Sequence, residues 1–173
     1  MTNMTSMANK ISMTSTLNAN PSTVFIIEDD PLMAECISRA ASKTLIFSKN
    51  NSSANSPTIK IFPDAISAIN ALSGRLPDLI ILDILLNGPD GFTFLNEIIS
   101  YTDTAKIPVI IVTSLNLSSE NLTHYGVRTV LNKETMTPAD IQKAVRAALQ
   151  SIEARGSALE QPNPLIESSA HAR

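Results

Sequence analysis

Cysteine occurs once in 173 residues, which excludes an intrachain disulfide framework and any cysteine-based zinc site, and fits a reducing compartment. Tryptophan is absent and aromatic residues make up 4%, so stacking platforms for single-stranded nucleic acid are scarce. Charged residues reach only 17%, with a net charge of −3, which excludes a polyacidic tail protein and a basic nucleic-acid coat alike. The longest unbroken apolar runs are Val24–Ile27, Leu79–Leu82 and Val109–Val112, far too short to span a membrane. What remains is a chain that is 43% hydrophobic, enough to bury the core of one domain. A soluble, cytoplasmic, single-domain protein is expected.

The two ends carry little that could fold. Ser, Thr and Asn fill 12 of the first 22 positions, and Lys10 is the only charge there. Neither the basic start nor the apolar stretch of a signal peptide is present, and without arginine a transit peptide is disfavoured. From Gln161 onward come two prolines and no apolar stripe. The expected organisation is a tail over residues 1–22, one domain over 23–157 and a second tail over 158–173.

Between the tails, short apolar runs alternate with helical stripes. Val24-Phe25-Ile26-Ile27 reads as a buried strand that ends on Glu28-Asp29-Asp30, and Pro31 suits the first turn of a helix. Leu32, Cys36, Ile37 and Ala40 follow at helical spacing, which makes Cys36 an expected core residue. The polar stretch Ser48 to Ser56 reads as a surface loop. Thr58 to Phe62 alternates weakly as a second strand, and Ile66, Ile69 and Leu72 give a helix that stops at Gly74. Leu79–Leu82 is a third strand, ended by Asp83, and Phe92, Leu95, Ile98 and Ile99 mark the next helix. Val109–Val112 runs into Thr113-Ser114. A short helix around Ser118–Tyr125 precedes a strand at Val127–Leu131 that ends near Lys133. Pro138 opens the last helix, with an apolar side at Ile141, Val145, Leu149 and Ile152. Strand–helix thus repeats five times. Strands apolar on both faces imply a doubly wound α/β fold, a five-stranded parallel sheet with helices on both faces.

Ligands of open parallel sheets bind beyond the C-terminal strand ends. Four strands here finish on a polar group: Glu28-Asp29, Asp83, Thr113 and Lys133. Three carboxylates, a hydroxyl and an ammonium would share one small site. Carboxylates crowded together repel unless a cation sits among them, and an all-oxygen set suits Mg²⁺ rather than zinc. The lysine supplies a fixed positive charge for an anion held there, so such a site suits a phosphoryl group.

These residues stand in the segments FIIEDDP, PDLIILDILLNGPDGF, PVIIVTS and TVLNK. In that order, each at a strand end, they resemble the receiver domain of two-component response regulators, over about Val24 to Ile152. The resemblance implies a flavodoxin-like fold in which Asp83 accepts a phosphoryl group from a histidine kinase or histidine phosphotransfer protein. It implies that Asp29 and Asp83 bind Mg²⁺ directly, Glu28 through water, and Leu85 through its backbone carbonyl. Gly91 would close the loop after Asp83, Lys133 would pair with a phosphoryl oxygen, and Thr113 would move to report phosphorylation. The chain departs from the usual pattern at three places. The aromatic residue that many receivers carry in the fifth strand maps to Val130. The proline after the lysine is replaced by Glu134, so a trans peptide is expected. Leu85 and Leu115 occupy the positions that flank the water's approach to the phosphorus, and neither side chain can hold a water, which implies a long-lived phosphate.

Other readings weigh against single residues. Asp30 is better explained as an acid at a helix N-terminus than as a ligand. His124 reads as a surface residue, and Lys10, Lys49 and Arg173 as solvated charges. For the whole chain the leading expectation is a single-domain response regulator, not an enzyme beyond its own phosphorylation and dephosphorylation. It would act by contact with a downstream protein, without binding nucleic acid or membrane, and pairing with a second copy on phosphorylation is left open. One alternative is a degenerate receiver that acts as a phosphate-independent interaction module. A remote alternative is an aspartate-nucleophile phosphatase of the haloacid dehalogenase type, but that chemistry wants a second acid where Leu85 stands.

Overall fold

The computed structural model describes residues 23–47 and 57–159. Five strands, β1 (Thr23–Ile27), β2 (Thr58–Phe62), β3 (Leu79–Leu82), β4 (Val109–Thr113) and β5 (Val127–Asn132), form one parallel sheet in the order β2-β1-β3-β4-β5. Four α-helices connect or follow them: α1 (Pro31–Phe47), α2 (Ala65–Leu72), α3 (Gly91–Ile99) and α4 (Pro138–Leu159). The short helix expected before β5 is a 3₁₀ helix, Ser119–Tyr125, and a single 3₁₀ turn, Thr104–Lys106, precedes β4. The doubly wound α/β reading holds. No helix among the described residues is long and apolar enough to cross a membrane.

Strand alternation sorts the core into two layers. Phe25, Ile27, Ile80, Leu82, Val109 and Ile111 face α2 and α3, where Ala65, Ala68, Phe94, Leu95 and Ile98 complete the layer. Their neighbours Val24, Ile26, Leu79, Ile81, Ile110 and Val112 face α1 and α4, against Ile37, Ala40, Ala41, Leu45, Ile141, Ala144, Val145 and Ala148. Burial on both faces is why these strands read as continuous apolar runs. β2 is an edge strand and keeps only partial burial, in accord with its weak alternation.

Helix starts are set by side chains. Asp30 Oδ1 accepts from the amides of Leu32 and Met33, at 2.8 and 3.3 Å, so it caps α1 as expected. Asp64 caps α2 through Ser67 N, and Asp90 caps α3 through Thr93 N. Thr137 and Asp140 cap α4 reciprocally, since Thr137 N donates to Asp140 and Asp140 N donates back to Thr137 Oγ1.

Three expected core positions are wrong. Leu32 is 82% exposed and Cys36 is exposed; with Glu35 and Arg39 they line an open groove beside α4. Ile66 on α2 is 54% exposed. Ile37 and Ala40 of α1 are buried as expected, but alanines supply much of the rest of the buried ridges, Ala34 and Ala41 in α1 and Ala65 and Ala68 in α2. Small side chains let a helix approach its neighbour closely but give little hydrophobic signal, so the larger residues one ridge away dominate the periodicity. On α3, Phe94 joins the expected Leu95 and Ile98 in the core, whereas Phe92 is partly buried and Ile99 lies at the exposed margin. Ile141 and Val145 of α4 are buried as expected. The helix continues to Leu159, past the expected domain limit at 157. Residues 1–22, the Ser48–Ser56 loop, Lys10, Lys49, Arg173 and the side chain of Ile152 lie outside the described ones.

The loop from β3 to α3 is closed by Gly91, whose amide donates to Ile84 O at 3.0 Å. A Cβ built on Gly91 would lie 2.5 Å from Asp83 O and 2.7 Å from Ile84 Cα, both backbone atoms that cannot swing aside. Gly91→Ala should therefore destabilise the domain by about 1–3 kcal/mol and displace the Asp83 backbone, read as a lower midpoint in urea unfolding. An unchanged midpoint would show that this loop yields without cost.

Candidate functional site

The strand order reverses at β1, so β1 and β3 lie side by side at the switch point of the sheet. The ladder runs one residue past each strand: Glu28 N donates to Phe62 O at 3.0 Å, and Asp83 N donates to Ile27 O at 2.9 Å. These bonds fix the backbones from which two carboxylates project. On the other side β4 and β5 pair Thr113 with Asn132, and Lys133 N donates to Thr113 O at 3.0 Å.

Glu28, Asp29 and Asp83 each offer a carboxylate oxygen, and all these oxygens lie within 4.8 Å of one another. Glu28 and Asp83 are buried, and Asp29 is half-buried. Lys133 Nζ reaches between two of them, 2.6 Å from Asp83 Oδ2 and 2.8 Å from both oxygens of Glu28. The contacts to Asp83 Oδ2 and Glu28 Oε1 have hydrogen-bond geometry, whereas Glu28 Oε2 is buried and accepts no hydrogen bond. Asp83 Oδ1 accepts from Leu85 N at 3.0 Å.

The sequence-predicted residues are placed unequally. Glu28, Asp29, Asp83 and Lys133 come together. Thr113 is fully buried at the end of β4, and the bond found at its hydroxyl is accepted from Leu115 N at 3.4 Å rather than made to a carboxylate. It joins the group through the main chain of Lys133. Leu85 holds Asp83 with its amide, while its side chain is 51% exposed. Leu115 and Val130 are half-buried and pack on the α2–α3 side of the core. His124 is exposed, its ring against that of Tyr125, as expected of a surface residue. One participant was missed: Asn87 Nδ2 donates to Asp29 Oδ2. Its place in an Asn-Gly pair reads as turn chemistry alone, so no signal in the sequence marks it as part of the site.

Desolvation by burial pushes the Glu28 carboxyl above its ordinary 4.5, against the opposing pull of Lys133. For Lys133, desolvation favours the neutral amine, but the hydrogen bonds and charges of Asp83 and Glu28 together outweigh it and hold the ammonium above its ordinary 10.5. A raised acid binds its proton more tightly when folded, so the Glu28 contribution to stability falls as pH rises above 4.5. The raised Lys133 stabilises the fold at every pH below 10.5, and that support is lost as pH rises through its folded value.

The donor set fits a divalent cation. Three carboxylates and one ammonium leave two formal negative charges in one place. All the donors are hard oxygens, and one of them, Glu28 Oε2, is buried without a hydrogen-bond partner.

The family model of the response regulator receiver domain matches residues 24–146. The chain belongs to that family. Among curated relatives, a protein-glutamate methylesterase/protein-glutamine glutaminase of Cereibacter sphaeroides is 31% identical over 163 residues, covering 85% of this chain and 40% of that protein. One from Chromobacterium violaceum is 32% identical over 103 residues, covering 58% of this chain and 24% of that protein. The chain thus spans two fifths or less of the length of these relatives. The solved manganese-bound response regulator Rcp1 is 25% identical with a TM-score of 0.53, covering 83% of this chain and 98% of that one. The receiver domain of a sensor histidine kinase from Pseudomonas aeruginosa, solved with magnesium in its cleft, has a TM-score of 0.60 at 20% identity. It covers 75% of this chain and 98% of that one, and shares the fold. Receiver domains are in general phosphoacceptor switches of two-component signalling, and this receiver has the acidic cluster at its strand ends.

Removing the shared ammonium tests the electrostatics directly. Lys133→Met leaves Glu28 and Asp83 buried and unpaired, and should cost about 3 kcal/mol of stability in metal-free urea unfolding at neutral pH. The loss should shrink as the pH is lowered toward Glu28 protonation, and adding Glu28→Gln should recover part of it. A cost independent of pH would place the effect in packing instead.

Proposed function

We propose that this chain is a phosphorylation switch in which Asp83 accepts a phosphoryl group from a phosphohistidine on a histidine kinase or phosphotransfer protein. The observation that carries the reading is the Asp83 carboxylate itself, buried at the end of β3 and held by Lys133 in a cluster with two further carboxylates. In the transfer a carboxylate oxygen of Asp83 forms a bond to phosphorus while the phosphorus–nitrogen bond of the donor breaks, and the electron pair leaves on the imidazole. Such a step needs positioning and charge neutralisation more than proton transfer. Lys133, already 2.6 Å from Asp83, would take up the negative charge of the phosphoryl oxygens. Glu28, Asp29 and Asp83, with the Leu85 carbonyl, would hold Mg²⁺, which when bound supplies positive charge to the transferring group. The Thr113 hydroxyl, now bonded only by a long contact from Leu115 N, would be free to turn toward the phosphoryl group and so carry its state outward.

On this reading the protein acts in the cytoplasm by contact with a partner, and catalyses only its own phosphorylation and dephosphorylation. The methylesterase activity named for its relatives belongs to those longer proteins.

Incubation with acetyl phosphate and Mg²⁺, followed by intact mass, tests the reading. One phosphate should add to the wild type, none without the metal, and none to Asp83→Asn. Labelling that survives Asp83→Asn would overturn the assignment. A wild type that never labels, even with cognate donors, would favour a phosphate-independent interaction module.

The exposed Leu85 and half-buried Leu115 offer no polar atom from their side chains to a water in line with the phosphorus. Phospho-Asp83 should therefore be long-lived, and Leu85→Asn or Leu115→Glu should shorten its half-life several-fold. Each tenfold change corresponds to about 1.4 kcal/mol in the barrier. Equal decay of the isolated wild type and both variants would sink the idea.

A further inference from the structure

The three carboxylates of the cluster are held by two side-chain donors. Lys133 serves Glu28 and Asp83, while Asp29 receives the side-chain amide of Asn87, which lies 58 positions away in sequence. This contact joins the loop after β3 to the loop after β1. The turn that delivers Asn87 passes through Gly88, whose φ of 91° suits glycine, and closes where Gly91 N meets Ile84 O.

The chemistry of the donor matters as much as its place. An amide N–H on Asp29 Oδ2 restrains the rotation of that carboxylate without adding charge, so the two formal negative charges of the cluster remain for a cation. A lysine at position 87 would compete with the metal, and an aliphatic residue would leave Asp29 unrestrained. Groups that hydrogen-bond a ligating carboxylate commonly account for 10–100-fold in metal affinity.

We propose that Asn87 is a positioning residue, which holds Asp29 in the orientation that receives the divalent cation and so sets part of the affinity of the site. This rests on the reading of the cluster as a cation site. Asn87 is exposed and outside both core layers, so its replacement should leave the metal-free fold intact.

Titration of the full chain with Mn²⁺, followed by the electron paramagnetic resonance of the free ion and by displacement with Mg²⁺, measures the effect. Asn87→Ala and Asn87→Leu should both raise the dissociation constant about tenfold, with the metal-free thermal midpoint unchanged. The leucine variant keeps the bulk of the side chain but not its donor, which separates orientation from space filling. Binding as tight as the wild type, or tighter, in either variant overturns the role of Asn87 while leaving the cation site standing. A wild type that binds neither ion overturns the cation site and the inference with it.

Discussion

A single ammonium shared by two buried carboxylates is the constraint on which this domain turns. Lys133 stands at the end of the edge strand β5, whereas Glu28 and Asp83 stand at the ends of β1 and β3, with β4 lying between. The side chain therefore crosses the mouth of the sheet and ties its two halves at the point where ionic attraction is least screened. Burial alone pushes Glu28 toward its neutral form, and the ammonium of Lys133 opposes that push. The same lysine that pairs these two acids keeps its charge at the mouth of the sheet.

The sheet and most of its polar ends were legible because the physics that creates them is local. A strand buried on both faces must be apolar throughout, so Leu79–Leu82 and Val109–Val112 announced themselves, and the first polar residue after each marked the strand end. The helices were harder to read. Alanines such as Ala34, Ala41, Ala65 and Ala68 carry much of the buried surface of α1 and α2 with little hydrophobic signal, so the exposed Cys36 and Ile66 read as core beside the buried Ile37. Asn87 escaped altogether, since its contact depends on how one loop folds over another, which no spacing encodes.

Family membership and residue chemistry carry different weight here. The receiver fold is shared with structures at 20–25% identity, so the architecture tolerates wide substitution. Around the cluster, Leu85 N holds Asp83, Asn87 holds Asp29, and Glu134 follows the lysine. No cis peptide occurs among the described residues, as expected once Glu134 replaces proline.

The stretch from Ser114 to Tyr125 has a consequence of its own. It follows Thr113 directly, yet Leu122 is its only buried residue, and its 3₁₀ helix has no side-chain cap at the start. Its far end is tied to α3 by one hydrogen bond, from Tyr125 Oη to Asn96 Oδ1 at 3.1 Å. Leu115, Leu117 and Tyr125 pack only partly against the core, so this stretch has less burial to lose on opening than the strands beneath it. Amide protons there should exchange with solvent through local fluctuations rather than global unfolding. A thinly buried stretch thus begins one residue after Thr113, whose carbonyl accepts from Lys133 N.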